Sequence, residues 1–409
     1  MSELLRETRS LCPECLAVIE ARIVEKKDCV YMEKSCAVHG FFSTLIWENT
    51  GENYRRWLEY GGAFDEDMGN CPHSCGLCPD HKTESISAAL MVTTDCDLSC
   101  PICFTRGGKA AVPGLQELKR RLQFLEKDAA LELCGGEPTT RDDLPQIVST
   151  VKEMGFEYIQ LNTNGIRIGR EPAFLQSLKV AGLTTVYLGF DGVRPESYLA
   201  KSGRDLLPEK LLAIENCRRV GVAVVLVPCV IPGKNDDQLG EMIELAKEWM
   251  PTVKGVYFQP VSYFGAYPGT PSDSMRITIP EILRKLEWQT GGEVPAAAFQ
   301  PGRYEHAACT FGGWFGKQNG RLVPYTSFQK RERAENVSLL RQKSKSMWRA
   351  GNMDFLSIGG MAFQDVWTID LQRLCRCTVH ILGEDGTKYP LCAKYITSRN
   401  GKRLYPNIS

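Results

Sequence analysis

The sequence lacks an apolar segment long enough to cross a membrane. Its longest apolar run, VAVVLVPCVI at 222–231, is far shorter than the roughly 20 residues that a membrane-spanning helix needs. The opening residues, MSELLRETRS, also lack the apolar core of a secretion signal. We therefore expect a cytoplasmic protein.

The sequence also lacks net charge, because Lys and Arg total 49 and Asp and Glu also total 49. Such a chain has no general attraction for polyanions, so we expect no nucleic-acid partner. Hydrophobic residues make up 43% of the chain, which is ordinary for a soluble globular protein of two to three domains.

Cysteine, in contrast, is abundant, with 17 residues in a chain of 409. The cytosol keeps thiols reduced, so without a secretion signal thiolate metal ligands are favoured over disulfides. We interpret thirteen of the cysteines as candidate ligands, nine in the first quarter of the chain and four near its end. They are Cys12, Cys15, Cys36, Cys71, Cys75, Cys78, Cys96, Cys100, Cys103, Cys309, Cys375, Cys377 and Cys392.

Residues 1–60 contain two short ligand pairs. Cys12 and Cys15 form one pair, and Cys36 and His39 form the other. Four such ligands suit a tetrahedral Zn or mononuclear Fe site that is closed to substrate. With the alternating apolar segments around them, they predict a rubredoxin-like or zinc-ribbon-like β module.

Residues 87–270 repeat a different pattern, in which six short apolar runs alternate with amphipathic stretches such as LQELKRRLQFLEK. Repeated βα units imply a parallel sheet with helices outside, because parallel crossovers need a connecting helix. We therefore predict an α/β fold with a partial, TIM-type (β/α)6 barrel. Polar or glycine-rich segments follow the apolar runs, as expected of an active site at the carboxyl ends of barrel strands.

One cysteine loop lies directly after the first of these runs. Cys96, Cys100 and Cys103 have the spacing CxxxCxxC, and three thiolates on one tight loop can hold three irons of a [4Fe-4S] cluster. The fourth iron would remain open to a ligand. The alternative from spacing alone is a zinc knuckle.

This loop, ending in Phe104, resembles the cluster-binding loop of the radical S-adenosylmethionine (SAM) superfamily. The resemblance extends over about residues 87–265 and includes a GGEP segment, Gly135, Gly136, Glu137 and Pro138. It implies that Cys96, Cys100 and Cys103 hold a SAM-cleaving [4Fe-4S] cluster. It also implies that the GGEP backbone and Glu137 contact the SAM amino group.

Polar residues after the next two strands are similar to further SAM-binding positions of the superfamily. Asn162 and Asn164 follow the third strand, and Asp191 follows the fourth. The resemblance implies that they hold the SAM ribose and carboxylate. The alternative is ordinary turn chemistry, since Asn-Gly and Asp-Gly are common turns.

Two further groups of cysteines are candidates for one or two auxiliary [4Fe-4S] clusters. In the segment 61–86, Cys71, Cys75 and Cys78 repeat the 3,2 spacing but precede the first barrel strand, and a completed zinc site is the alternative. The extension 271–409 carries the second group, for which buried free thiols are the alternative. Its members are Cys309, Cys375, Cys377 and Cys392.

Over nearly its whole length the chain resembles the tetraether lipid synthase family and the similar radical SAM pterin methyltransferases, through segments such as NCPHSCGLCPDHK and LCGGEPTTRDDLPQIV. The resemblance implies a transferase that makes a 5'-deoxyadenosyl radical and abstracts hydrogen from an unactivated C–H bond. It also implies a reductant such as ferredoxin or flavodoxin. We expect C–C bond formation in a lipid. The alternatives are methylation of a pterin or other small molecule, and a non-catalytic Fe-S/Zn protein.

The C-terminal extension is the natural lid of the barrel, because radical chemistry needs a cavity that excludes water. A lipid substrate would also predict peripheral membrane contact. Candidates for that contact are the basic stretch 329–349 and the tail residues Lys402 and Arg403, although such charge runs are more often solvated faces. A long apolar tunnel would indicate a lipid substrate, and a small polar pocket would indicate a pterin-like one.

Overall fold

The computed structural model describes residues 2–59, 71–72, 81, 83–106, 112–302, 305–328 and 355–405. Its first sheet is four-stranded and antiparallel in chain order, as expected of a β module. The strands are β1 Glu3–Leu11, β2 Val18–Lys26, β3 Cys29–Cys36 and β4 Gly40–Trp47. Helix α1, Gly51–Leu58, follows it, and Thr50 caps α1 by accepting a hydrogen bond from the Asn53 backbone.

Six parallel neighbouring strands form the centre of the second sheet, which confirms the predicted partial barrel. Each coincides with one of the six apolar runs. The strands are β5 Ser87–Thr93, β6 Ala130–Gly135, β7 Ile159–Thr163, β8 Thr185–Gly189, β9 Ala223–Val227 and β11 Val253–Pro260. The two-residue strand β10, Cys229–Val230, pairs with β11. The described strands form an open sheet and not a closed barrel.

Helices lie between these strands because their apolar residues recur at helical spacing. In α3, the buried residues Leu144, Ile147, Val148 and Val151 form one face against the sheet. Helix α5 is terminated by Gly182, the residue after its last turn, whose φ of 119° is a left-handed conformation that favours glycine. The helices are α2 Leu115–Leu122, α3 Leu144–Glu153, α4 Ile166–Arg170, α5 Pro172–Ala181, α6 Pro195–Ser202, α7 Leu207–Val220, α8 Leu239–Glu248 and α9 Ile279–Gln289.

The C-terminal extension adds strands to both edges of the barrel sheet. Strand β14 is parallel to β11, and β12 and β13 continue that edge in antiparallel pairing; β15 is parallel to β5, and β16 pairs with it. The extension therefore flanks the open side of the barrel, and its proposed role as a lid stays a prediction. Its elements are β12 Thr310–Gln318, β13 Arg321–Pro324, β14 Phe355–Met361, α10 Leu371–Leu374, β15 Val379–Leu382, β16 Lys388–Pro390 and α11 Leu391–Tyr395.

The N-terminal module is fastened to this extension by buried polar contacts. Thr8 Oγ1 donates to Asp370 Oδ1 at 2.8 Å, and Arg6 forms an ion pair with the same carboxylate. The buried Lys34 amine donates to Ser10 Oγ at 2.9 Å and to the Val366 carbonyl oxygen at 2.7 Å. These contacts position the ligand pairs of the module beside the barrel.

In the part of the chain that the structure describes, no helix is long and apolar enough to cross a membrane. The longest, α7, has 14 residues. The basic stretch 329–349 lies outside the described residues. Arg403 donates from its guanidinium to the Arg106 carbonyl oxygen at 3.2 Å, so this tail residue holds the end of the cysteine-loop segment.

Candidate metal centre and active site

The four predicted ligands of the N-terminal module converge on one point. All their ligand atoms lie within 4.8 Å of one another, with 4.0 Å between the Cys15 and Cys36 sulfurs. His39 Nδ1 lies 3.6 Å from the Cys12 sulfur and 3.4 Å from the Cys36 sulfur. Tetrahedral zinc with Zn–S of about 2.3 Å and Zn–N of about 2.0 Å places its ligands about 3.6–3.8 Å apart. The residues therefore fit one mononuclear metal ion.

Local backbone geometry prepares this site for a metal. The backbone N–H groups of Val38 and His39, with the His39 side chain, lower the pKa of Cys36 to about 6. Burial raises the pKa of Cys12 to about 11, so this thiol needs the metal in order to ionise at neutral pH. The module thus combines one ready thiolate with ligands that close around the ion.

The second cysteine loop opens onto a cavity. Cys96, Cys100 and Cys103 all line a cavity of about 480 Å³ inside the partial barrel. The cavity leaves open space beside the three thiols. Three thiolates on one loop next to such space are the donor set that a [4Fe-4S] cluster with one open iron needs.

The loop is held at its Cys103 end by backbone hydrogen bonds and aromatic packing. Cys103 and Ala266 exchange two backbone hydrogen bonds, of 3.0 and 2.9 Å. Phe104 packs edge-on against Tyr395 and Phe264, at centroid distances of 5.0 and 6.2 Å. Phe104 is thus placed at the cavity wall, between the cysteine loop and the C-terminal extension.

Glycines 135 and 136 have a steric reason to be glycine. A Cβ on Gly135 would lie 2.0 Å from the Thr93 carbonyl oxygen, and one on Gly136 would lie 2.2 Å from that of Asp95. The Gly136 N–H donates to Thr93 O at 2.9 Å, and the Glu137 N–H donates to Asp95 O at 2.7 Å. The GGEP segment therefore fixes the backbone that leads into Cys96.

Glu137 joins two of the strand-end loops. Its Oε1 accepts one hydrogen bond from the Thr139 hydroxyl and one from the Thr163 hydroxyl, each at 2.6 Å. Its Oε2 accepts a hydrogen bond from the Asn164 backbone N–H, also at 2.6 Å. Burial raises the pKa of Glu137, and these hydrogen bonds oppose that rise. Its carboxylate lines the cavity, whereas Pro138 begins a short 3₁₀ turn behind it.

Asp191 and two lysines line the cavity near Cys100 of the cysteine loop. Lys201 Nζ donates to Asp191 Oδ1 at 2.6 Å, and Lys210 donates to the Asn164 carbonyl oxygen. Burial lowers the pKa of Lys201, but the Asp191 carboxylate more than offsets this and raises it. Burial lowers the pKa of Lys210 to about 8. Neither lysine was predicted from the sequence, because both lie on helices, away from the strand ends.

The predicted SAM residues Asn162 and Asn164 have different surroundings. Asn164 donates from its side chain to Asp97 Oδ1 at 2.6 Å, next to Cys96. Asn162 lies deeper, where its amide donates to Glu132 Oε2 at 3.2 Å and accepts from Gln160 at 2.9 Å. Both line the cavity. Only Asn164 lies beside the cysteine loop.

The C-terminal cysteines divide into two groups. Cys309, Cys377 and Cys392 line one small cavity next to the main one. The Arg373 guanidinium donates to the Cys309 sulfur at 3.1 Å. Cys375 does not line this cavity, and its thiol donates to the Gln372 carbonyl oxygen at 3.2 Å.

The remaining candidate group is described only in part. Cys71 is buried among residues of the C-terminal extension, whereas Cys75 and Cys78 lie outside the described residues. The nearby His81 ring contacts the Cys377 carbonyl oxygen and the His380 ring, at 2.8 and 3.1 Å. His81 therefore lies against the wall that carries the C-terminal cysteines.

Comparison with known proteins is consistent with this geometry. The model of the Radical SAM superfamily matches residues 90–246, and that of the HMPTM N-terminal zinc ribbon domain matches residues 4–48. The chain is 35% identical to 7,8-dihydro-6-hydroxymethylpterin dimethyltransferase of Methanocaldococcus jannaschii, over 90% of this chain and 79% of that protein. The chain belongs to the radical SAM superfamily. The predicted radical SAM fold with an N-terminal metal module is confirmed.

More distant relatives share the barrel region. A probable GTP 3',8-cyclase of Methanothermobacter thermautotrophicus is 29% identical to this chain in the region that the two share. That region covers 41% of this chain and 56% of the cyclase. SuiB of Streptococcus suis is a structural neighbour with a TM-score of 0.42 and 17% identity, covering 51% of this chain and 46% of that one. This structural likeness is too weak to bear on function.

Membership in the superfamily makes the protein a radical SAM enzyme, with SAM and a [4Fe-4S] cluster as its cofactors. It also overturns the non-catalytic alternative. The expectation of C–C coupling in a lipid finds no support among these relatives, and the pterin methyltransferase alternative fits them better.

Proposed function

We propose that this radical SAM enzyme methylates a pterin-like heterocycle. The observation that carries the proposal is the cavity, which is about 480 Å³ and has polar and tyrosine side chains at its deep end. That volume suits small-molecule ligands, for which cavities of about 300–1,000 Å³ are usual. A carboxylate such as Glu132, placed against an alkyl chain, would lose hydration without gaining a partner. The cavity thus combines a mostly apolar lining with a few polar groups at its deep end, as binding sites for small heterocycles usually do.

In this proposal, Cys96, Cys100 and Cys103 hold the cluster at the mouth of the cavity. When bound, the cluster supplies one electron to SAM, which yields methionine and the 5'-deoxyadenosyl radical. The GGEP segment holds the cysteine loop in place, and its Glu137 braces the loop of Asn164. Lys201 and Lys210 place positive charge near the cysteine loop, where they attract the SAM carboxylate, and Phe104 packs between that loop and the C-terminal extension.

The other metal sites have supporting roles in the proposal. The N-terminal ribbon holds one zinc ion and is structural, because all four of its ligands come from the protein. Cys309, Cys377 and Cys392 hold an auxiliary cluster beside the substrate. Cys71, with Cys75 and Cys78, holds another. A ferredoxin or flavodoxin supplies the electrons.

The proposal is tested anaerobically with reconstituted enzyme, dithionite, SAM and 7,8-dihydro-6-hydroxymethylpterin. We expect 5'-deoxyadenosine and a pterin product that is heavier by one or more methyl groups. A substrate deuterated at its carbon-bound hydrogens should transfer deuterium into 5'-deoxyadenosine, and SAM with a trideuterated methyl group identifies the methyl donor. Formation of 5'-deoxyadenosine with no deuterium transfer and no methylated pterin would reject the substrate but keep the radical SAM activity.

A further inference from the structure

The deep end of the cavity brings together polar side chains from five barrel strands. They point inward from strand positions well before the cysteine loop, whose residues lie at the cavity mouth. They are Ser87 of β5, Glu132 of β6, Gln160 and Asn162 of β7, Tyr187 of β8, and Tyr257 of β11. None of the established cofactors accounts for this layer, because SAM and the cluster belong to the strand ends.

Glu132 is the charged centre of this layer. Ser87 Oγ donates to its Oε1, and Asn162 Nδ2 donates to its Oε2 at 3.2 Å. Gln160 holds Asn162 in turn, with its amide donating at 2.9 Å. The carboxylate is thereby fixed in orientation by neutral donors.

A carboxylate oxygen has two accepting positions, so Ser87 and Asn162 leave one on each oxygen of Glu132. Two parallel accepting positions match a ligand with two adjacent N–H donors. Burial raises the pKa of Glu132, and the hydrogen bonds from Ser87 and Asn162 oppose that rise.

The basic side chains that line the cavity lie near its mouth. Among the described lining residues they are Lys201 and Lys210, which contact Asp191 and Asn164 near the cysteine loop. Glu137 and Asp191 also line the cavity there, so carboxylates balance the two amines. Glu132 lies deeper, away from both lysines. A ligand with N–H donors is therefore favoured beside Glu132.

We propose that Glu132 binds the paired N–H groups of a 2-aminopyrimidin-4-one ring, with Tyr187 and Tyr257 as the aromatic walls of the site. Pterins and guanine share this ring, so the assignment rests on the proposed function only for the choice of pterin. It makes Glu132 the specificity-determining residue of the enzyme. Rings that present an acceptor in place of the 2-amino group would be rejected, because two acceptors would then face each other.

The test measures binding to the full-length, metal-reconstituted protein with SAM and without reductant. The ligands are 7,8-dihydro-6-hydroxymethylpterin and its 2-desamino analogue. Glu132→Gln is compared with Glu248→Gln, a matched change at an exposed carboxylate at the end of α8. We expect Glu132→Gln to weaken pterin binding roughly 10- to 150-fold, the range for a lost hydrogen bond to a charged group. Glu248→Gln should bind like wild type.

The analogue provides a second measurement that needs no variant. Wild type should bind the 2-desamino ring about as weakly as Glu132→Gln binds the parent, and the variant should no longer distinguish the two ligands. Zinc content and circular dichroism show whether Glu132→Gln has folded. Equal affinity of wild type for both ligands, or of the folded variant and wild type for the pterin, would overturn the assignment.

The inference and the proposed function can fail separately. If wild type methylates the pterin but Glu132→Gln binds it unchanged, the assignment is wrong and the proposed function stands. If wild type does not methylate the pterin but binds guanine in a Glu132-dependent manner, the assignment stands and the pterin is wrong. Binding of neither ring overturns the assignment.

Discussion

The two described cysteine sites offer similar ligands in different surroundings. In the ribbon, Cys12, Cys15, Cys36 and His39 converge within 4.8 Å on paired antiparallel strands. Cys96, Cys100 and Cys103 instead line a cavity of about 480 Å³. The first geometry fits one enclosed ion, and the second leaves room for a ligand beside the thiols. In the roles that we propose, enclosure by the fold, more than ligand type, separates a structural site from a reactive one.

Replacing Cys96, Cys100 and Cys103 together by alanine gives the sharpest separation of the two sites. We expect 5'-deoxyadenosine formation to be lost, because no other described group replaces three thiolates at the cavity mouth. The ribbon should keep its metal. Product chromatography and metal analysis check this, and retained SAM cleavage would assign the cluster to another cysteine group.

The reciprocal change, Cys15→Ser with Cys36→Ser, should remove the ribbon metal. We expect the free energy of unfolding to fall by more than about 3 kcal/mol, since loss of a metal exceeds the usual effect of a substitution. Hydrogen exchange should localise the change to β1–β4, and each folded chain should still cleave SAM. Cys29→Ser, at a cysteine outside the ligand set, is the control. Complete loss of SAM cleavage in folded protein would show that the ribbon takes part in catalysis.

Glu137→Gln tests whether the cysteine-loop site depends on the hydrogen bonds that Glu137 accepts from Thr139, Thr163 and Asn164. The amide nitrogen of glutamine would face the Asn164 N–H or the threonine hydroxyls, so we expect a loss of about 3 kcal/mol in stability and weaker SAM binding. Thermal unfolding and SAM titration measure the two effects. Glu153→Gln, at an exposed carboxylate, should change neither. Unchanged SAM affinity would limit Glu137 to stability.

Gly136→Ala should have the smallest effect. The new Cβ would lie 2.2 Å from the Asp95 carbonyl oxygen, so the backbone before Cys96 must move. We expect a cost of about 1–3 kcal/mol and incomplete cluster loading, with ribbon zinc unchanged. Iron and zinc counts per chain measure this. Gly114→Ala is matched, because nothing lies within 4 Å of its Cβ. Full iron loading would mean that the loop adapts to the added methyl group.

Structural features that depend on one short segment of the chain could be predicted from the sequence. The spacing of Cys12 and Cys15, and of Cys36 and His39, predicted ligands that the structure does bring together. The six apolar runs predicted six parallel strands because buried strands need continuous apolar residues. The favoured lipid substrate finds no support among the relatives, and the pterin methyltransferase alternative fits them better.

Other features were not predictable because no local pattern marks them. Glu132 lies within an apolar run and has no motif of its own, so only its inward direction reveals it. The separation of Cys375 from Cys309, Cys377 and Cys392 depends on how the extension folds onto the barrel edge. Extension of the sheet at both edges, by β14 and by β15, requires contacts over the whole barrel.

The sequence by itself determined the metal-ligand loops, because ligands within a few residues of one another are positioned by the local backbone. It also determined the order of strands and helices, through the period of its apolar residues. Only the tertiary structure decided what faces the cavity. Ser87, Glu132 and Tyr257 come from distant parts of the chain, and strand register and sheet curvature alone bring them to one surface.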